Sequence, residues 1–137
     1  FGLVFQNFNL IEGLSVYENL LAPFALTNFK ANVRDEMIKK ALELANISHK
    51  RDENVSNLSG GERQRCAVAR ALSMDADIIL ADEPTANLDR QNARAFLGLL
   101  ESFKALKKSV IVATHDSIFN ELGATDKVVR LQNGEIV

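Results

Sequence analysis

Two short apolar runs limit what this chain can fold into. "DIILA" spans Asp77 to Ala81 and "SVIVAT" spans Ser109 to Thr114. A strand with one wet face alternates apolar and polar residues, whereas an unbroken apolar run reads as a strand buried on both faces. Between the two runs, Asp89 stands where a helix would be capped. Phe96, Leu97, Leu100 and Phe103 then recur on one helical face. Strand, helix, strand predicts a βαβ unit, hence an α/β fold whose parallel sheet is covered by helices on both sides. The 137 residues fit a single domain.

The flanking segments are read by local signals. Phe1 to Phe5 is expected as a short strand ending at Gln6. Ser15 and Glu18 form an S-x-x-E capping box, so a helix is expected from Val16, with Pro23 ending or kinking it. Asn32 is expected to cap the next helix, with Val33, Met37, Ile38, Ala41, Leu42 and Ala45 on its apolar face. "SHKRDENVSN" reads as loop, and His49 within it as a solvated side chain. A second capping box, Ser59 with Glu62, opens a helix to about Ser73. Asp116 is expected to cap a short helix stopping at Gly123. The tail "KVVRLQNGEIV" reads as a hairpin turning at Asn133-Gly134, the type I′ signal. The stretch from about Ser15 to Ser73 is therefore expected to form a helical lobe beside the sheet.

Composition narrows the chemistry. The formal net charge is -2, which offers no strong hold on nucleic acid. The single cysteine, Cys66, excludes an internal disulfide framework and a cysteine-cluster metal site, and its alanine-rich surroundings suit a small buried side chain. No apolar run is long enough to cross a bilayer, and "FGLVFQ" is no signal peptide.

Ligands of open α/β sheets gather at the carboxyl ends of the strands. One core strand here runs into Asp82 and Glu83, the other into His115. Successive side chains of a strand point opposite ways, so the two acids would do different jobs. One could hold Mg²⁺ beside phosphate oxygens, and the other could orient an attacking water. An isolated Asp-Glu pair is more often a loop cap. Ser59-Gly60-Gly61 precedes a helix, whose unpaired N–H groups suit a phosphate and whose glycines permit close approach. An ordinary capping box uses the same residues.

The combination decides between these readings. "LSGGERQR" (Leu58 to Arg65), then "IILADEPTANLD" (Ile78 to Asp89), then "VIVATHD" (Val110 to Asp116) resembles the ATP-binding cassette (ABC) ATPase family. The resemblance covers nearly the whole chain. It implies a P-loop NTPase-like parallel sheet flanked by helices, with a helical signature lobe over about residues 7–73 and a core with C-terminal hairpin over about 74–137. Gln6 looks like the glutamine that senses Mg²⁺ and couples to the membrane subunit. Leu58, Ser59, Gly60, Gly61, Glu62 and Gln64 look like the signature motif, which touches ATP bound by the opposite subunit. Asp82 looks like the Walker B aspartate and Glu83 like the glutamate that positions water. Ala86 to Asp89 look like the D-loop, with Asn87 where many relatives carry another residue. His115 looks like the switch histidine at the γ-phosphate. "FGLVFQNFNLIEGLSVYENL" is most similar to bacterial exporters of the lipoprotein-release and macrolide- or peptide-export kind.

The resemblance also implies ATP and Mg²⁺ as ligands. It implies a head-to-tail second ATPase subunit and transmembrane permease subunits as partners, and a cytoplasmic place on the inner membrane face. It does not favour DNA-repair or chromosome-structure heads, because the short stretch between Gln6 and Leu58 carries no sustained heptads. Ribosome-acting relatives usually carry two cassettes in one chain. A purely non-enzymatic interaction module remains the other alternative.

One expected part is not in the sequence: no G-x-x-x-x-G-K-[ST] run occurs. In the family that loop precedes the glutamine. The expectation is an N-terminally shortened cassette that lacks its first βα unit. Such a chain should bind ATP weakly or not at all, should not hydrolyse it, and should leave a sheet edge and apolar surface uncovered, through which it would associate or swap.

Overall fold

The computed structural model describes residues 1–121 and 125–137. Three parallel strands form the main sheet: β1 (Gly2–Val4), β2 (Ile78–Asp82) and β3 (Ser109–Ala113). β2 lies in the centre, with Val4 opposite Ala81 on one side and Asp82 opposite Ala113 on the other. The helix α4 (Arg90–Ala105) carries the chain from β2 to β3, the predicted βαβ unit. Asp89 caps it, with Oδ1 accepting from the Asn92 N–H at 2.8 Å. Phe96, Leu97, Leu100 and Phe103 are all buried, as their spacing requires.

The helical lobe comprises α1 (Val16–Leu21), α2 (Ala31–Leu44) and α3 (Gly60–Ser73). Both capping boxes form. The Ser15 and Ser59 hydroxyls accept from the N–H of Glu18 and Glu62, and each glutamate accepts from the backbone N–H of its serine. At Pro23, which has no N–H to give, α1 passes into a 3₁₀ turn over Ala22–Leu26. The polar stretch after α2 contains two further 3₁₀ turns, Ser48–Lys50 and Val55–Asn57.

α3 is the hub of the core. Cys66, Ala67, Val68, Ala69, Ala71 and Leu72 are all buried, and α1, α2 and β1 pack around the helix. Its small side chains allow close approach. Where β1 crosses it, a Cβ on Gly2 would lie 2.5 Å from the Ala71 carbonyl oxygen, so β1 needs a glycine there. Burial pushes the Cys66 thiol up to about 12, which keeps it protonated and inert.

Three expectations need correction. Asn32 does not cap α2. The helix begins at Ala31, Lys30 holds the extended cap position without a side-chain bond, and Asn32 lies in the first turn. Val33 also falls off the apolar face and is exposed. The third correction concerns the sheet, which is covered on one face only. Val4, Ile79, Ala81, Val110 and Val112 join the core with residues of α3 and α4. On the opposite face Leu3 is 46% and Ile111 60% exposed. Apolar runs establish what strands could bury, and here the second covering layer is absent from the described residues.

After β3, α5 (Ile118–Glu121) follows, and the expected stop at Gly123 lies outside the described residues. The tail forms the predicted hairpin, β4 (Leu131–Gln132) and β5 (Glu135–Ile136). Asn133 and Gly134 both take positive φ, 52° and 84°, as a type I′ turn demands.

Candidate functional site

In a parallel sheet all carboxyl ends emerge at one edge, and this sheet places three loops there. Gln6 follows β1, Asp82 and Glu83 end and follow β2, and Thr114 and His115 follow β3. Register keeps them level, since Val4 pairs with Ala81 and Asp82 with Ala113. The predicted residues of the three strand tips thus gather on a single rim.

Glu83 and His115 are in direct contact. Glu83 Oε1 lies 2.6 Å from His115 Nδ1 and also accepts from the His115 backbone N–H at 3.2 Å. Oε2 accepts from Thr114 Oγ1 at 2.9 Å. An ionised carboxylate only accepts, so Nδ1 carries the proton and Nε2 is left outward. The His115 side chain is 87% exposed. The hydrogen bond from His115 is the main cause that holds Glu83 below the ordinary carboxylate range. The same bond, reinforced by the negative charge of Glu83, raises His115. Glu83 adopts φ 42°, the left-handed region, which an ordinary side chain takes only under constraint. Its N–H donates to the Ala113 carbonyl at 2.8 Å, tying the constraint to β3.

Two threonines lock this arrangement, and neither was singled out in the sequence. Thr85, buried, donates to Asp116 Oδ2 at 2.7 Å, joining the loop after β2 to the loop after β3. Thr114 Oγ1 also accepts from the Asp116 N–H at 3.0 Å. The signal available in sequence was only their position inside the two motifs, "DEPT" and "ATHD".

Asp82 is exposed at the tip of β2. Its hard carboxylate oxygen, with Glu83 and the Gln6 side chain on the same rim, is a donor set that suits Mg²⁺. Among the described residues no group of three or more His, Cys, Asp or Glu gathers to hold a metal unaided. Mg²⁺ commonly completes its shell with water and phosphate oxygens.

The glycine turn lies beside the loop that follows Glu83. A Cβ on Gly60 would meet only the Asn87 carbonyl oxygen, at 3.8 Å, so Gly60 leaves room for an approaching group. Gly61 is different. A Cβ there would lie 2.2 Å from Asn92 Oδ1, so its glycine serves the α3–α4 contact. Glu62 is engaged in the capping box, its Oε2 accepting from Ser59 N and Oγ at 2.8 Å each. Asp89 is engaged as the cap of α4. Leu58 and Gln64 are buried. Gln64 is 2% exposed, and neither its Nε2 nor its Oε1 has a hydrogen-bond partner among the described residues.

A parallel sheet with acids at its strand tips, beside a serine-glycine helix start, is the layout of nucleotide-hydrolysing α/β proteins. The model of the ABC transporter family matches residues 1–86. The chain is 35% identical to the methionine import ATP-binding protein MetN 4 of Oceanobacillus iheyensis, over 99% of this chain and 39% of that protein. It is 34% identical to the macrolide export ATP-binding/permease protein MacB of Chlorobaculum tepidum, over 99% of this chain and 20% of that one. Among solved structures, cbiO1 from Clostridium perfringens, part of the ABC transporter complex cbiONQ, superposes with a TM-score of 0.90 at 30% identity. That match covers 99% of this chain and 55% of cbiO1. The dimeric bacterial ABC transporter cassette MJ0796 superposes at 0.79 with 33% identity, covering 98% and 60%. This chain belongs to the ABC transporter family, and it spans about a fifth to three fifths of the length of these relatives. No described helix is long and apolar enough to cross a membrane.

Proposed function

We propose that this chain is the signature and Walker B portion of an ATP-hydrolysing subunit that drives transport across a membrane. The reading rests on one observation above all: Glu83 and His115, from different strands, meet at 2.6 Å on the rim that also carries Asp82. Glu83 orients the water that attacks the γ-phosphate, giving ADP and phosphate. His115, with its Nε2 directed outward, contacts the departing phosphoryl oxygens. Asp82 and Gln6 serve Mg²⁺, which when bound neutralises charge on the phosphates. Phosphoryl transfer needs mainly such positioning and electrostatic support.

Ser59, Gly60 and Gly61 face a nucleotide held by a second subunit paired head to tail, and the D-loop through Asp89 crosses that interface. The solved relative MJ0796 is dimeric, and one of its structures holds ADP and Pi. Permease subunits take up the motion, and the working place is the cytoplasmic face of a membrane. The chain by itself, having no G-x-x-x-x-G-K-[ST] run, does not turn over ATP.

The test is ATPase activity of this chain beside a longer protein that joins it to a phosphate-binding loop. The longer form should hydrolyse ATP, and Glu83→Gln in it should lower kcat by roughly 10²- to 10⁴-fold, the usual worth of a positioned base. Turnover by this chain alone, or an unaffected Glu83→Gln variant, would refute the assignment.

A further inference from the structure

We infer that Asn87 is a positioning residue that pegs the loop after β1 to the loop after β2 and so fixes where Gln6 sits. Its Nδ2 donates to the Gln6 carbonyl at 2.9 Å and lies 3.4 Å from Asn7 Oδ1. Both acceptors are oxygens, and an amide nitrogen with two hydrogens can serve both.

The rest of that loop is held from the other side. Arg70 on α3 donates to the Phe8 and Asn9 carbonyls. Glu12 pairs with Arg63, also on α3. The Asn19 side chain clamps Ile11, accepting from its N–H at 2.7 Å and donating to its carbonyl at 3.2 Å. Phe8 and Leu10 are buried. Residues 8–12 therefore belong mechanically to the helical lobe. Gln6 and Asn7 lie toward the sheet, and Asn87 is their side-chain anchor there.

That anchor is itself rigid. Asn87 follows a tight turn in which the Ala86 N–H donates to the Glu83 carbonyl and the Leu88 N–H to the Thr85 carbonyl, at 3.1 and 3.0 Å. Thr85 is fixed in turn to Asp116. Its backbone is equally well placed, since the Asn87 carbonyl oxygen faces Gly60. One residue thus touches the loop of Gln6, belongs to the loop of Glu83, and borders the glycine turn.

The peg itself is independent of catalysis, but its bearing on Mg²⁺ rests on the proposed function, so the experiment has two arms. In the first, backbone hydrogen exchange is followed on this chain, on N87A and on N87D, which removes the donor and sets an acceptor against the Gln6 carbonyl. The Phe8 and Asn9 N–H groups, which close local turns onto Phe5 and Asn7, should exchange about threefold to tenfold faster, the effect of losing one ordinary hydrogen bond. Exchange in α3 and β2 should be unchanged, which shows that the variants are folded. Unchanged exchange at Phe8 and Asn9 in both variants would overturn the inference. In the second arm, the longer protein with its phosphate-binding loop should need several-fold more Mg²⁺ for half-maximal ATPase when Asn87 is changed. N87A, which adds no charge, should do this as N87D does. An inactive unmutated protein counts against the proposed function. An active one whose Mg²⁺ requirement ignores both substitutions counts against the role of Asn87.

Discussion

Glu83 and His115 shift each other in opposite directions, and that sets a pH window for their contact. His115 is raised by its bond to Glu83, so what it adds to stability is full below its unfolded value and is lost as pH rises through the higher folded one. Glu83 is lowered, so its share is full above the ordinary carboxylate range and is lost as pH falls through the depressed folded value. The contact is therefore intact from the acid side of the carboxylate range to above the ordinary histidine value of about 6.5. An NMR titration should find the His115 midpoint above that value, and Glu83→Gln should bring it back down. An identical midpoint in both proteins would mean that the pair does not form in solution. Neither the pairing nor the Thr85–Asp116 bond was legible in the sequence, because each joins residues about thirty positions apart through strand register. Ser59 with Glu62 and Asp89 with Asn92 are three apart, where backbone geometry alone brings the groups together. Asn32 shows the limit of such local signals: a good capping residue two positions past the cap finds itself inside the helix.

At the scale of elements, the α3–α4 contact turns on Gly61 and Gln64. Gly61 fits beneath the Asn92 amide, and any side chain there would have to displace it. Gly61→Ala would push the end of the Asn92 side chain aside and loosen its bond to Asp89, so it is expected to destabilise the protein by less than about 1 kcal/mol. Gln64, four residues from Gly60, buries an amide with no partner among the described residues. A leucine has similar bulk, so Gln64→Leu should leave the fold intact and change stability by less than about 1 kcal/mol. Urea midpoints at constant slope would measure both changes, and a Gln64→Leu variant that loses more stability than that would show the amide to be satisfied in solution. The helices themselves were legible from spacing: Phe96, Leu97, Leu100 and Phe103 reach the core as their period requires. The burial of Gln64 was not, because a polar residue gives no sign in the sequence of the inward turn that its helical position imposes.

For the whole molecule, the unresolved question in the sequence was how the strands are covered. The apolar runs of β2 and β3 foretold two buried faces, while a missing βα unit foretold uncovered apolar surface. Leu3 and Ile111 are exposed on one face, and among the described residues β3 has no neighbour on its outer edge. Such an edge and face favour association with another chain. Light scattering should give a mass above that of one chain, and Ile111→Lys should shift it toward the monomer while circular dichroism stays unchanged. A monomer before substitution would exclude self-pairing through this face.

α3 begins at the serine-glycine turn, bears on β1 where Gly2 meets Ala71, and grips the loop of Phe8 and Asn9 through Arg70. It is in effect the axle of the molecule. With no slack at the Gly2 bearing, a push on its first residues cannot be absorbed by sliding; it must rotate the lobe or shift the strand that leads to Gln6.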